Sequence, residues 1–198
     1  MYNFLMELTP SLLLSAYTQG IFPMAHDDGE IYWYQPDPRA ILPLTTFHVP
    51  RRLQRTVQQN VYQMHMDTAF EAVMRFCAAA APEREQTWIS EEIIAVYTHL
   101  HYLGFAHSVE SWLNGKLVGG LYGVAIGGFF AGESMFSRER DASKVALVHL
   151  VNHLRAHGFL LLDVQFMTEH LRRFGAVEIP DQRYQKHLAQ ALQVRTRF

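Results

Sequence analysis

Residues 105–136 read FAHSVESWLNGKLVGGLYGVAIGGFFAGESMF, and this stretch limits the possible folds more than any other. Asn114-Gly115 is the strongest short hairpin signal a chain carries, because both residues accept the positive φ of a tight two-residue turn. Gly127-Gly128 marks a second turn. The apolar runs that these turns separate predict three antiparallel strands. Beyond them, Asp141 is placed to cap a helix over 142–157, in which Leu147, Leu150, Val151 and Leu154 fall at i, i+3, i+4 and i+7. Gly158 ends that helix, and FLLLDVQF (159–166) follows as a strand. A meander, a helix and a returning strand describe an α/β (α+β) chain with a mixed, mainly antiparallel sheet flanked by helices.

The flanking segments are punctuated in the same way. Thr9-Pro10 predicts a helix start and Gly20 its end. Pro23, Pro36, Pro38 and Pro43 then predict an extended, irregular segment rather than a central strand. A short helix is expected after Pro50, a strand over 61–67, a helix capped by Thr68 and running through Ala80, and a polar loop at APEREQT (81–87). Ser90 caps a helix that Gly104 stops; a short helix, a short strand and a last helix from Asp181 close the chain.

With 198 residues, there is room for one large domain or for one domain with an appendage. The expected division is a small N-terminal segment over 1–37 and a main domain over 38–198. A formal charge of −2 neither demands nor excludes a polyanionic partner, since local patches matter more than the sum. Cys77 is the sole cysteine, so no intrachain disulfide can form and a reducing compartment fits best. The N-terminus has no early basic residue and no cleavage-like site, and no apolar run reaches the ~18 residues needed to span a bilayer. The expectation is a cytosolic protein.

Chemistry enters with two carboxylates. Strand alternation puts Asp163 and Gln165 on one face of a strand rich in leucine, and burying an unpaired carboxylate there costs several kcal/mol. Either a structural hydrogen-bond network satisfies the pair or the pair lines a cavity. Glu133 poses the same problem; alternation groups it with Ala131 and Met135, apart from Phe130, Gly132, Ser134 and Phe136. Strands on either side of a helix are commonly neighbours, which would bring Glu133 to Asp163 and Gln165 as a polar focus in an apolar pocket. Other candidates are plainer. His149, His153 and His157 form an i, i+4, i+8 stripe with no carboxylate on its face, so a solvated surface is expected rather than a metal site. Arg51, Arg52 and Arg55 form one basic cluster and Arg138, Arg140 and Lys144 a second, each either solvated surface or the footprint of a phosphate-binding patch.

Taken together, GIFPM, QPDPRAIL, TWIS, HSVESW, LVGGLYGVAIGGFFAGESMFSRERDASKVAL and LLDVQ…HLRRFGAVEIP resemble the leucyl/phenylalanyl-tRNA–protein transferase family over almost the whole chain. The resemblance implies a main domain like the acetyltransferase (GNAT) fold. It implies transfer of Leu, Phe and, less well, Met from aminoacyl-tRNA to the N-terminal Arg or Lys of a protein, a mark for N-end rule degradation. Asp163 and Gln165 match the family's proposed catalytic pair, and Glu133 the carboxylate beside the aminoacyl group. Phe130, Met135, Leu147, Leu150 and Leu154 match positions of the amino-acid side-chain pocket. Met24, at its entrance, replaces a tryptophan of longer members. Tyr17 matches an aromatic at the terminal adenosine, and Arg51 and Arg55 match a tRNA-binding cluster, diluted here by Gln58 and Gln59 where longer members are basic. An aminoacyl ester is already activated, so neither cofactor nor metal is expected, and no membrane partner; a monomer is expected. Two alternatives remain open: an acyl-CoA-dependent N-acetyltransferase, disfavoured because the turn SRERDAS lacks the glycines that cradle a pyrophosphate, and a non-enzymatic tRNA- or peptide-binding module.

Overall fold

The computed structural model describes residues 8–26, 28–79 and 87–198. In chain order they form α1 (Pro10–Tyr17), β1 (Phe22–Ala25), β2 (Ile31–Tyr34), β3 (Arg39–Ile41), α2 (Arg51–Gln58), β4 (Gln63–Met66), α3 (Phe70–Ala78) and α4 (Glu91–Tyr102). The meander β5 (Ala106–Leu113), β6 (Lys116–Ile126) and β7 (Phe129–Ser137) follows, then α5 (Ala142–Ala156), β8 (Leu161–Gln165), α6 (Glu169–Arg172), β9 (Val177–Ile179) and α7 (Asp181–Leu192). Strands β1 and β2 pair with each other; the other seven make one sheet in the order β4-β5-β6-β7-β8-β3-β9. Only β7 and β8 run parallel in it. The segment 1–7, Ala80 and most of the APEREQT loop lie outside the described residues.

Most local signals act as expected. The Thr9 hydroxyl accepts from the Leu12 N–H and that of Ser90 from Ile93, both at 3.3 Å. Asn114 and Gly115 turn the β5–β6 hairpin at φ 51° and 72°. Two expected caps act differently. The Thr68 hydroxyl donates to buried Glu110 instead of capping α3, and Glu110 itself accepts the N–H groups of Thr68 at 2.9 Å and Ala69 at 2.7 Å. A carboxylate from β5 thus serves the positive end of α3 from outside it. Asp141 stands at φ 62° and caps nothing; its carboxylate binds Lys144 at 2.6 Å.

The proline-rich segment also departs from expectation. Arg39–Ile41 is a fully buried inner strand, hydrogen-bonded to β8 on one side and β9 on the other. Its prolines flank the strand, so no ladder N–H is lost inside it.

Both faces of the sheet are covered, which explains the apolar runs on its strands. On one face lie Tyr17 of α1, Met74 of α3, Tyr97 of α4 and Tyr184 of α7. On the other lie Leu53 of α2, Leu147, Leu150 and Leu154 of α5, and Leu171 of α6. Helix α5 packs tightly on β6: a Cβ added at Gly119 would stand 2.5 Å from the Ala142 Cβ.

One irregularity decides the chemistry. Across β6 and β7, Gly123 faces Gly132 and Tyr122 faces Ser134, so Glu133 is an extra, unpaired residue of β7. Such a bulge turns the strand and switches the phase of alternation. A Cβ at Gly123 would meet the Ala131 carbonyl at 2.2 Å, so the close approach beside the bulge requires glycine there.

Candidate active site

The parallel pairing of β7 with β8 runs from Phe129–Leu161 to Ala131–Asp163 and stops there. Beyond it, Gly132, Glu133, Ser134 and Met135 of one strand and Val164 and Gln165 of the other line a cavity of about 330 Å³. Leu147 and Leu150 of α5, Leu121, Leu162, Met24, Trp88, Phe166 and His170 add to its wall. The lining is apolar apart from a small polar group, and the volume falls within the ~300–1,000 Å³ usual for a ligand cleft.

Glu133 is the centre of that polar group. Its Oε1 accepts from the Tyr17 hydroxyl at 2.7 Å and from Gln165 Nε2 at 3.0 Å, and the Tyr17 hydroxyl is bonded in turn to that of Tyr97. Its Oε2 is enclosed and has no hydrogen-bond partner among the described residues. Burial pushes the Glu133 carboxyl up to about 7; the bonds from Tyr17 and Gln165 oppose the rise and the charge of Asp163 adds to it. Near neutral pH the group stands between acid and carboxylate, a useful state for moving a proton. Burial and the same carboxylate push Tyr17 well above the usual phenol value, so it remains a donor.

Asp163 is held quite differently. Its Oδ1 accepts from Arg39 Nε at 3.0 Å and from the Gln165 N–H at 2.8 Å. Its Oδ2 accepts from Arg39 Nη2 at 2.6 Å and the Tyr184 hydroxyl at 2.8 Å. Arg39 and Asp163 are 1% and 0% exposed, and the remaining Arg39 Nη1 donates to the Gly20 carbonyl at 2.9 Å. A buried ion pair is tolerable only when its remaining hydrogen-bonding capacity is met; here the carboxylate accepts four bonds and each guanidinium nitrogen donates one. The Arg39 guanidinium also lies 4.8 Å from the Phe22 ring centre and 4.7 Å from that of Tyr184. Gln165, at φ 63°, is a strained conformation for a residue with a side chain, and the bond from its N–H to Asp163 holds it. The two readings of the pair therefore divide: Asp163 belongs to a buried network and Gln165 to the cavity wall.

Met24, Met135, Leu147 and Leu150 line the cavity; Phe130 and Leu154 do not. Both are fully buried in the core between α5 and the sheet, and the Phe130 ring stacks on Phe198 at 5.4 Å. The bulge overturns the simple alternation: Ala131 and Phe136 pack on one face of the sheet, Phe130 and Met135 on the other. Tyr17 is 1% exposed, and its ring meets that of Tyr97 edge-on with centroids 6.5 Å apart. Arg51 and Arg55 are exposed on α2, away from the cavity lining. Within the histidine stripe only His157 is exposed; the His153 ring packs on Phe198 at 4.5 Å, against the expectation of a solvated face. No group of three or more His, Cys, Asp or Glu among the described residues is arranged to hold a metal ion. No helix among them is long and apolar enough to cross a membrane.

Sequence reasoning missed Arg39, Tyr97 and Tyr184. A signal for Arg39 was present, since a buried Asp163 requires a cation and Arg39 leads directly into the apolar run AIL. The tyrosines sit at core spacing on α4 and α7, and nothing local marks their hydroxyls as functional.

The family pattern described as "Leucyl/phenylalanyl-tRNA protein transferase" matches residues 41–189, and that of its N-terminal domain matches 6–37. Three proteins named leucyl/phenylalanyl-tRNA–protein transferase are similar throughout. That of Herpetosiphon aurantiacus is 56% identical over 193 residues, 97% of this chain and 98% of its own. That of Paramagnetospirillum magneticum is 57% identical over 187 residues, 93% of this chain and 90% of its own. That of Gloeobacter violaceus is 55% identical over 195 residues, 98% of this chain and 99% of its own. Among solved structures, the C-terminal domain of a putative lysylphosphatidylglycerol synthetase from Agrobacterium fabrum gives a TM-score of 0.44 at 10% identity over 93% of this chain and 57% of that one, too distant a likeness to carry an argument.

Proposed function

The chain belongs to the leucyl/phenylalanyl-tRNA–protein transferase family, and we propose that its apolar cavity receives the side chain of the aminoacyl group while Glu133 and Gln165 serve the transfer. It is an aminoacyltransferase acting between aminoacyl-tRNA and protein. The observation that carries the reading of the site is the cavity of about 330 Å³, where leucine and methionine walls meet a carboxylate with one unpartnered oxygen.

The donors are leucyl, phenylalanyl and, less readily, methionyl esters, because a wall built from Met24, Met135, Leu147 and Leu150 is apolar and adaptable. Such a wall separates side chains differing by one methylene by only ~1–3 kcal/mol. The acceptor is a protein with N-terminal Arg or Lys, and the new N-terminal residue marks it for degradation. Its α-ammonium pairs with Glu133, which takes the proton. The freed amine attacks the ester carbonyl; a C–N bond forms, the bond to the ribose oxygen breaks, and that oxygen leaves with the second proton given up by the attacking nitrogen. The Gln165 amide faces the reacting ester and its developing oxyanion. Asp163 touches no reacting atom; it positions Gln165. Holding two reactants in register supplies much of the acceleration, since the ester is already activated.

The test supplies Phe-tRNA and a peptide beginning with Arg and looks for Phe on the peptide's N-terminus. Acetyl-CoA in a parallel reaction must give no acetylated product; acetylation without Phe transfer would overturn the reading.

A further inference from the structure

The two basic clusters of the sequence meet across one groove, through Arg52 of the first and Arg140 and Lys144 of the second. Pro50, Arg52 and Leu53 of the α2 end, Arg140 and Asp141 of the β7–α5 turn, Lys144 of α5, and Glu169, His170 and Arg173 around α6 line a groove of about 830 Å³. His170 also lines the apolar cavity, so groove and cavity share a wall. Met135 joins them a second time: it lines the cavity and also a surface hollow with Arg138, Arg140 and Lys144.

Four cationic side chains face two carboxylates in the groove. Lys144 pairs with Asp141 at 2.6 Å, Arg173 with Glu169 at 3.4 Å, and Arg140 reaches Asp141 only at 3.9 Å. Arg52 is exposed and pairs with no carboxylate among the described residues. Arg140 and Arg173 are each 70% exposed, so their guanidinium groups are open to a partner. The local field is positive in a chain whose formal charge is −2. The His170 imidazole registers it: burial first, then Lys144 and Arg173, push its pKa below the ordinary value.

We propose that this groove is the track for the phosphodiester backbone of the donor tRNA next to its aminoacylated end, with Arg52, Arg140 and Arg173 as positioning residues. The inference rests on the reading of the cavity as the aminoacyl site. An ester group seated between Glu133 and Met135 places the nucleotides that carry it outside the cavity, and the shared wall leads from there into the groove. Arginine suits the task, because its planar fork meets phosphate oxygens two at a time. With Gln58 at the end of α2 and Gln59 just past it, the helix carries no cation beyond Arg51, Arg52 and Arg55, and the opposite wall adds Arg140, Lys144 and Arg173.

The test compares two donors with the variant Arg52→Ala, Arg140→Ala, Arg173→Ala. One donor is Phe-tRNA, the other phenylalanyl-adenosine, which has the ester but no phosphate chain. With Phe-tRNA, KM is expected to rise by about 10-fold or more, and the slope of log affinity against log salt to fall by about 2–3, roughly one per lost phosphate contact. With phenylalanyl-adenosine, the rate and the acceptor-peptide KM are expected to stay at the parental values. An unchanged KM and salt slope with Phe-tRNA overturns the inference while leaving the cavity reading intact. Equal losses with both donors overturn it as structural damage, and a rise in acceptor KM alone reassigns the groove to the acceptor protein. A parental protein that transfers nothing from Phe-tRNA removes the reading and the groove together.

Discussion

Arg39 holds Asp163 with two nitrogens, at 3.0 and 2.6 Å, and both side chains are shut off from solvent. Each carboxylate oxygen takes a second bond, from Gln165 N–H and from the Tyr184 hydroxyl. Such a carboxylate has no free lone pair with which to approach a substrate. Through Arg39 Nη1 and the Gly20 carbonyl, the same pair ties the chain between α1 and β1 to the sheet. That matters for the site, since α1 carries Tyr17 and β1 carries Met24.

Removing one partner of this pair leaves the other buried and uncompensated. Asp163→Ala or Arg39→Met is expected to cost about 3–5 kcal/mol of stability, whereas Arg39→Met combined with Asp163→Leu costs much less. Denaturant unfolding of the three variants checks this. The double variant is expected to fold and to transfer poorly, because nothing then holds Gln165 at φ 63°. Asp163→Asn, which keeps an acceptor for the Gln165 N–H, is expected to retain more turnover per folded molecule than Asp163→Ala. Equal turnover in those two variants would instead make the charge itself catalytic.

Tyr17→Phe separates two roles for this residue. As a platform for a nucleobase, the phenylalanine ring would serve almost as well. As a hydroxyl donor to Glu133, it is lost outright. The bond from Tyr17 holds the Glu133 carboxyl down, so the variant is expected to titrate at higher pH and to need higher pH for full turnover. The pH–rate profile reads this directly. An unshifted profile with a donor KM near the parental value favours the platform.

The meander, α5 and the returning strand were legible in sequence because glycine turns and helical periodicity are local signals. The adjacency of Glu133 and Gln165 was legible too, since the sheet rule for strands flanking a helix needs no distances. The bulge at Glu133 was not: strict alternation put Phe130 and Phe136 on one face, and only the pairing with Gly123 and Tyr122 shows the extra residue. Nor was β3, because prolines beside a strand look like prolines within it. The Arg39–Asp163 pair joins positions 124 residues apart, which no local pattern reports. The burial of Tyr17 likewise depends on α4 packing over α1, and a helix read alone gives only its apolar stripe.

Met135→Trp probes the cavity wall. Met135 lines the cavity together with Leu147 and Leu150, so a larger side chain there takes space from the donor. Phe transfer is expected to fall by about 10-fold, near 1.4 kcal/mol, and Leu or Met transfer by less. Overpacking an ordinary core costs ~1–3 kcal/mol of stability and would lower all three donors alike. Parallel assays with the three donors, beside a melting curve, tell these outcomes apart.

Glu133 joins stability and turnover through one proton. Its folded pKa is about 7, raised from 4.5 chiefly by burial. Below the unfolded value both states hold the proton, and the group has no effect on stability. As pH rises from there towards 7, the unfolded chain gives up its proton while the native protein keeps it, so stability falls. Above the folded value the penalty is complete and constant, on the order of 3 kcal/mol. Glu133→Gln has no proton to exchange. Relative to the parental protein it is therefore expected to gain stability steadily from about pH 4.5 to about pH 7 and no further. Turnover should run the other way. The acceptor's ammonium needs an ionised Glu133, so parental kcat/KM is expected to climb through an apparent pKa near 7. In Glu133→Gln that limb is expected to vanish and the rate to drop by ~10²–10⁴-fold, the usual worth of a general base. Denaturant curves and initial rates over the same pH series decide the matter. A variant whose stability difference is flat with pH would mean that the carboxylate is not held in the protonated form. A variant that keeps the parental rate limb would place the proton acceptor elsewhere.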